Sequence, residues 1–184
     1  MDITTDTALL FLVIIIFSLV QSLFGVGLLL FGTPTLLLLD YSFMETLSFL
    51  IPCSITISIL QVYNQWSQIS LYRLNIFYYL LPMVAFGLTI ILYIPEVNLF
   101  LIIGVMLLLT SFVRLNSSLN RSIGKILAEN FRFGLLMIGL IHGLTNLGGA
   151  PLVAITSTIY KRKIDIQSNI AYAYLTMALV QLFT

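Results

Sequence analysis

The residues in this sequence best suited to chemistry lie inside apolar sequence. His142 is the only histidine, and it stands within a long hydrophobic run. An ionisable group at such a position is a candidate proton carrier or substrate ligand. The competing structural reading is a neutral imidazole bonded to a carbonyl of a neighbouring helix. Two glycine clusters also interrupt apolar sequence: Gly148 with Gly149 in the same run as His142, and Gly25 with Gly27 in another. A helix broken at glycine leaves unpaired N–H groups and the positive end of its dipole facing inward, which can hold an anion without a buried cation. Thr33, Thr145 and Asn146 supply side-chain donors nearby. Gly25, Gly27, Thr33, Thr145, Asn146, Gly148 and Gly149 are therefore the candidate substrate contacts, with His142 as the proton-coupling candidate. The alternative is that the glycines serve close helix packing and the small polar residues bond to their own helices.

Other polar positions are read on the same terms. Gln21, Ser54, Thr56, Asn169 and Gln181 could line a pathway or join helices. Glu45 suits a wet carboxylate at a helix N-terminus, with a coupling role as the alternative. Trp66, Tyr72, Tyr78 and Tyr93 fall near segment ends, where aromatic residues anchor helices at the interface. No His-Glu-x-x-His and no phosphate loop occurs, and the Gly-x-Gly at Gly25 lacks the strand and soluble helix of a dinucleotide fold. No two acids share a mid-membrane position, which excludes a paired-carboxylate hydrolase. Cys53 is the single cysteine, so no intramolecular disulfide can form. The expectation is a non-enzyme with no catalytic residues, no metal and no cofactor.

The elements that must position these residues follow from composition. The chain is 60% hydrophobic and 8% charged, with mean hydropathy +1.10, whereas soluble domains carry roughly 25% charged residues. The bilayer is its solvent. A net charge of +1 argues against a nucleic-acid partner. Six apolar segments are expected, at 8–39, 43–63, 74–94, 97–113, 133–160 and 166–184. The N-terminal run lacks the basic flank and short core of a signal peptide and belongs to the mature protein. Between the fourth and fifth segments lies a polar connection, residues 114–132. Its Leu115, Leu119, Ile123, Leu127 and Phe131 recur at helical spacing, which suits a short helix in the membrane interface.

The first and fifth segments are too long for one crossing. At ~1.5 Å per residue they would extend roughly 48 and 42 Å, against a hydrocarbon core of ~30 Å. Gly25, Gly27, Gly32 and Pro34 interrupt the first, and Gly139, Gly143, Gly148, Gly149 and Pro151 the fifth. Each is expected to be two half-helices that reach the midplane and return, or else two short tilted spans. Charge supports the return. If every segment crossed once, the basic residues would divide between the two sides. If the first and fifth re-enter, Arg73, Arg114, Arg121, Lys125, Arg132, Lys161, Arg162 and Lys163 all share one side, opposite Asp2, Asp6, Asp40, Glu45 and Glu96. Basic residues mark the cytoplasmic side, which puts the N-terminus outside.

The two long segments also resemble each other. Gly25-Val26-Gly27 lies on Asn146-Leu147-Gly148, and each is followed by an apolar stretch, a short polar loop and another helix. The expected organisation is a first transmembrane repeat over 1–113, a connector over 114–132, and a partial, inverted second repeat over 133–184. Duplicated broken helices are a pattern of secondary transporters, with substrate bound at the breaks.

The stretch from Gly25 to Leu36, with Gly32 and Pro34 inside it, resembles the glycine-rich signature of the TauE/SafE sulfite exporter family, and the stretch from Gly139 to Leu152 is similar to the family's C-terminal version. Leu28, Leu29 and Asn146 depart from it by standing where glycines are common. The resemblance implies an all-α, polytopic membrane permease of the cell (plasma or inner) membrane. It would export sulfite, sulfonates or related small organic anions. The alternative is a non-transporting membrane subunit or assembly factor. The family layout continues for about two more spans, so a fragment or truncated member is expected. Expected partners are a small anion, the lipid bilayer and a second copy of the chain.

Overall fold

The structure, a computed structural model, describes the backbone of residues 3–69, 72–93 and 98–184, and the side chains of all of these except 3–6 and 72. Asp2 and Glu96 of the expected acidic side lie outside the described residues, as do the side chains of Asp6 and Tyr72. Every regular element among the described residues is helical. The chain is an all-α membrane protein. Thr7–Phe24, Phe43–Asn64 and Arg73–Tyr93 are each long and apolar enough to cross a bilayer, and Leu99–Leu115 with Ser117–Glu129 passes the same measure as a pair bent by 107°.

The first long segment folds as α1 (Ile3–Phe24), a glycine break, and α2 (Leu28–Leu38). Of the two expected half-helices, α2, with 11 residues, is one, whereas α1, with 22, is long enough to cross a bilayer by itself. Gly25 and Gly27 make the break, and Gly32 and Pro34 lie inside α2. α2 turns back along α1: a Cβ on Gly27 would meet Val20, and the Phe17 and Phe31 rings are 5.8 Å apart. Both ends of the hairpin therefore face the same way. Leu12, Leu19 and Leu23 on the outer side of α1 are exposed, as lipid-facing residues would be.

After a short loop, Ser42 opens α3 (Phe43–Asn64). Its hydroxyl accepts from the Glu45 backbone N–H while the Glu45 carboxylate accepts from the Ser42 N–H, a reciprocal cap on an exposed helix start. A short α4 (Tyr72–Asn75) continues through a π-helical turn, Ile76–Leu80, into α5 (Leu81–Tyr93). Pro82 is the second residue after that turn, and its missing N–H leaves a carbonyl of the preceding turn without its usual donor. α6 is Leu99–Leu115. α7 (Ser117–Glu129) starts at Asn116, whose side chain caps two backbone N–H groups. The expected connector helix is thus confined to 117–129. It packs against the segment 154–158: Gly124 sits against Thr158 and Ala154.

The fifth segment folds as α8 (Phe131–Thr145), a break, and α9 (Gly149–Ile159), and α10 (Lys163–Phe183) follows. Here the re-entrant hairpin matches expectation: Gly148 lies against Ile138 and His142, and Ile155 against Gly134. Gly139 and Gly143 do not break α8. They press it against Leu80, Met83, Val84 and Gly87 of α5 and the turn before it, where any Cβ would overlap backbone. Pro151 falls in the first turn of α9, where an N–H has no helical acceptor.

α3 and α10 lie antiparallel. Met44 and Gln181 line one cavity at one end, and at the other Trp66 meets Tyr172 while Gln68 accepts from Asn169 and Arg162. Arg114 and Lys163 share a second cavity, and Arg132 lies over Tyr79. The basic residues therefore gather at one end of the bundle, with Asp40 and Glu45 at the other.

Candidate functional site

The two breaks are built alike. Gly25 has φ 78° and Asn146 φ 61°. Each N–H closes the last turn before it at 2.8 Å, onto Gln21 O and His142 O respectively. A left-handed residue after the last turn is the ordinary way to end a helix, and glycine and asparagine accept that conformation most readily. Gly27 and Gly148 then open half-helices of 11 residues each, and neither start has a side-chain cap.

The two polarities of the broken helices are treated differently. The carbonyl end of α1 is covered: the Gln61 side-chain amide donates to Gln21 O at 3.1 Å and Ser22 O at 3.0 Å, and that of Gln167 donates to Leu23 O. The Thr145 hydroxyl likewise bonds Ile141 O at 2.7 Å. The amide ends of α2 and α9 receive no such side chain, although Leu28, Leu29 and Gly149 are buried. Buried helix starts without caps carry unspent donors, and their dipoles favour negative charge.

The breaks converge on the middle of α10. Gly25 rests on Gln167 and Ile170, while Gly149 rests on Tyr174 and on Val26 of the first break. A polar chain crosses the junction. Asn146 Nδ2 donates to Thr33 Oγ1 at 3.0 Å, and Gln181 Nε2 donates to Asn146 Oδ1 at 2.6 Å. The His142 and Tyr174 rings meet edge to face, 5.6 Å between centroids. Both are fully buried; the Tyr174 hydroxyl has no hydrogen-bond partner, and the His142 imidazole faces the Gln181 side-chain amide without a well-formed hydrogen bond. A buried polar group left unsatisfied costs about 1–3 kcal/mol, so several at one place point to a polar guest.

Two openings approach this cluster from opposite ends. On the basic end a cavity of about 380 Å³ is lined by Phe24, Val26, Arg114, Lys163, Gln167 and Ile170. On the other, one of about 260 Å³ is lined by Met44, Ser48, Ile51, Leu88 and Gln181 among others. The polar cluster lies between them.

Thr33, His142, Asn146 and Gly149 thus come together at the junction. Gly25 and Gly27 shape the first break, Gly25 toward the basic end and Gly27 tucked against Val20 and Gln21. Gly148 packs on His142, and the Thr145 hydroxyl donates to Ile141 O of its own helix and accepts from the Leu147 N–H in the break at 3.2 Å. Of the other polar residues, Gln21 joins Ser54 and Ser58 at 3.0 and 3.2 Å, Thr56 bonds Pro52 O at 2.8 Å, and Asn169 bonds Gln68 O at 3.2 Å. These join helices or close onto their own turns. Gln181 reaches the junction itself. Tyr174 was not among the expected residues. Its signal is depth: it stands mid-segment, whereas Trp66, Tyr78 and Tyr93 are exposed near helix ends. Among the described residues no group of three or more His, Cys, Asp or Glu side chains could hold a metal ion.

A family model described as Sulfite exporter TauE/SafE matches residues 10–184. No curated protein matches the chain, and no solved structure matches it.

Proposed function

The chain belongs to the TauE/SafE sulfite exporter family of membrane transporters, and from that premise we propose that it exports small oxyanions, namely sulfite, sulfonates or small organic acids. One observation carries the reading: the carbonyl end of α1 is covered by glutamine amides, while the amide ends of α2 and α9 are bare and buried. A site for a cation would leave the opposite ends open. In this reading the anion enters from the basic end past Arg114 and Lys163. It binds where Thr33, Asn146, Gly148 and Gly149 meet, and leaves past Gln181.

The basic end faces the cytoplasm by the charge rule, in a multi-pass protein of the plasma or inner membrane. Residues 1–113 and 133–184 act as inverted repeats about the junction, joined through 114–132. His142 couples flux to protons, since its imidazole is buried inside the junction with the Gln181 amide as its neighbour and no well-formed hydrogen bond to hold it.

The test is efflux from vesicles containing the purified chain and loaded with sulfite, sulfonate or carboxylate. Efflux above that of empty vesicles is expected, and its absence for every anion from folded protein would remove the reading. His142→Gln should keep downhill flux and lose the response to an imposed pH gradient. A variant that still responds like the wild type would rule out the coupling role.

A further inference from the structure

The Tyr174 hydroxyl has no part in the reading above. Its ring is fully buried midway along α10, and the oxygen has no partner. It stands so close over Gly149, the first residue of α9, that a Cβ there would overlap it. The first-turn amides of that helix, at Gly149 and Ala150, have no intrahelical acceptor, and no side chain caps them. His142, on α8, meets the same ring and has only the Gln181 amide beside it, without a well-formed hydrogen bond. A phenylalanine would fill the space of the Tyr174 ring equally well and would spare the fold a desolvated hydroxyl. The hydroxyl is therefore the part that packing leaves unexplained.

We propose that Tyr174 is a substrate ligand whose hydroxyl donates a hydrogen bond to an oxyanion seated on the N-terminus of α9. The proposal rests on the anion-transport reading and names the group that selects within it. Donors from α8, α9 and α10 approach from separate directions, an arrangement that a guest with several oxygen acceptors engages at several atoms and a halide at only one. The site therefore prefers oxyanions to chloride.

Tyr174→Phe keeps the ring and removes a desolvated hydroxyl, so membrane insertion is unchanged and the unfolding temperature without anion is no lower than that of wild type. Its KM for sulfite should rise about 10- to 100-fold, the loss of one hydrogen bond to a charged group, and sulfite should no longer raise its unfolding temperature. A wild-type KM and a wild-type sulfite shift in this variant overturn the assignment while leaving the transport reading intact. Wild-type protein that moves none of the test anions removes that reading and this proposal together. The unmodified chain offers a second measurement that needs no variant. Sulfite should raise its unfolding temperature more than chloride at equal ionic strength, and equal shifts overturn the selectivity.

Discussion

At Gly149 a methyl group would overlap the Tyr174 hydroxyl and come within 2.6 Å of Val26 Cγ2, whereas at Gly104 it would meet nothing within 4 Å. The sequence sets Gly149 in a glycine cluster and Gly104 alone in an apolar run, but says nothing of what lies opposite either. Gly149→Ala is expected to destabilise by about 1–3 kcal/mol, the usual cost of overpacking, and to abolish flux. Gly104→Ala should stay within about 0.5 kcal/mol of wild type. Thermal unfolding in detergent and vesicle flux measure both, and equal responses would mean that the α9 start is not packed against Tyr174 as described. Residue type alone identified glycine clusters as unusual. It did not separate Gly139 and Gly143, which seat α8 on α5, from Gly25, which turns the chain, because that distinction depends on what lies opposite.

The break is the element on which the site is built, and its conformation is a local matter. Gly25 and Asn146 occupy equivalent left-handed positions, so the two breaks use the two residue types that tolerate them. Gly25→Ala should cost about 1–2 kcal/mol from the backbone alone. Gly25→Asn should cost less, since asparagine already serves at the second break. Comparing the unfolding temperatures of the two variants checks this, and an asparagine variant less stable than the alanine one would count against the equivalence. The alignment of Gly25-Val26-Gly27 on Asn146-Leu147-Gly148 was legible because helix stops are written in local residue types. Gly32 and Pro34 look like stops as well, yet both lie buried inside α2.

For the molecule as a whole, the Arg162–Gln68 bond, the cavity that Arg114 and Lys163 both line, and Arg132 over Tyr79 place these basic residues at one end of the bundle. In intact cells, on a Cys53→Ser background, a membrane-impermeant thiol reagent should label Asp40→Cys and spare Lys161→Cys. Labelling of both from one side would undo the re-entrant topology and with it the central position of the breaks. By itself the sequence determined the solvent, the helical class, the places where two helices must stop and the side on which charge collects, because hydropathy, backbone preference and charge act on each residue where it stands. Only the tertiary structure decided that Asn146 meets Thr33, 113 residues away in the chain, that α7 lies across α9, and that Tyr174 faces a bare helix start. Those contacts depend on helices packing across the bundle, where close approach and unpaired donors arise from pairs of distant residues that no local pattern records.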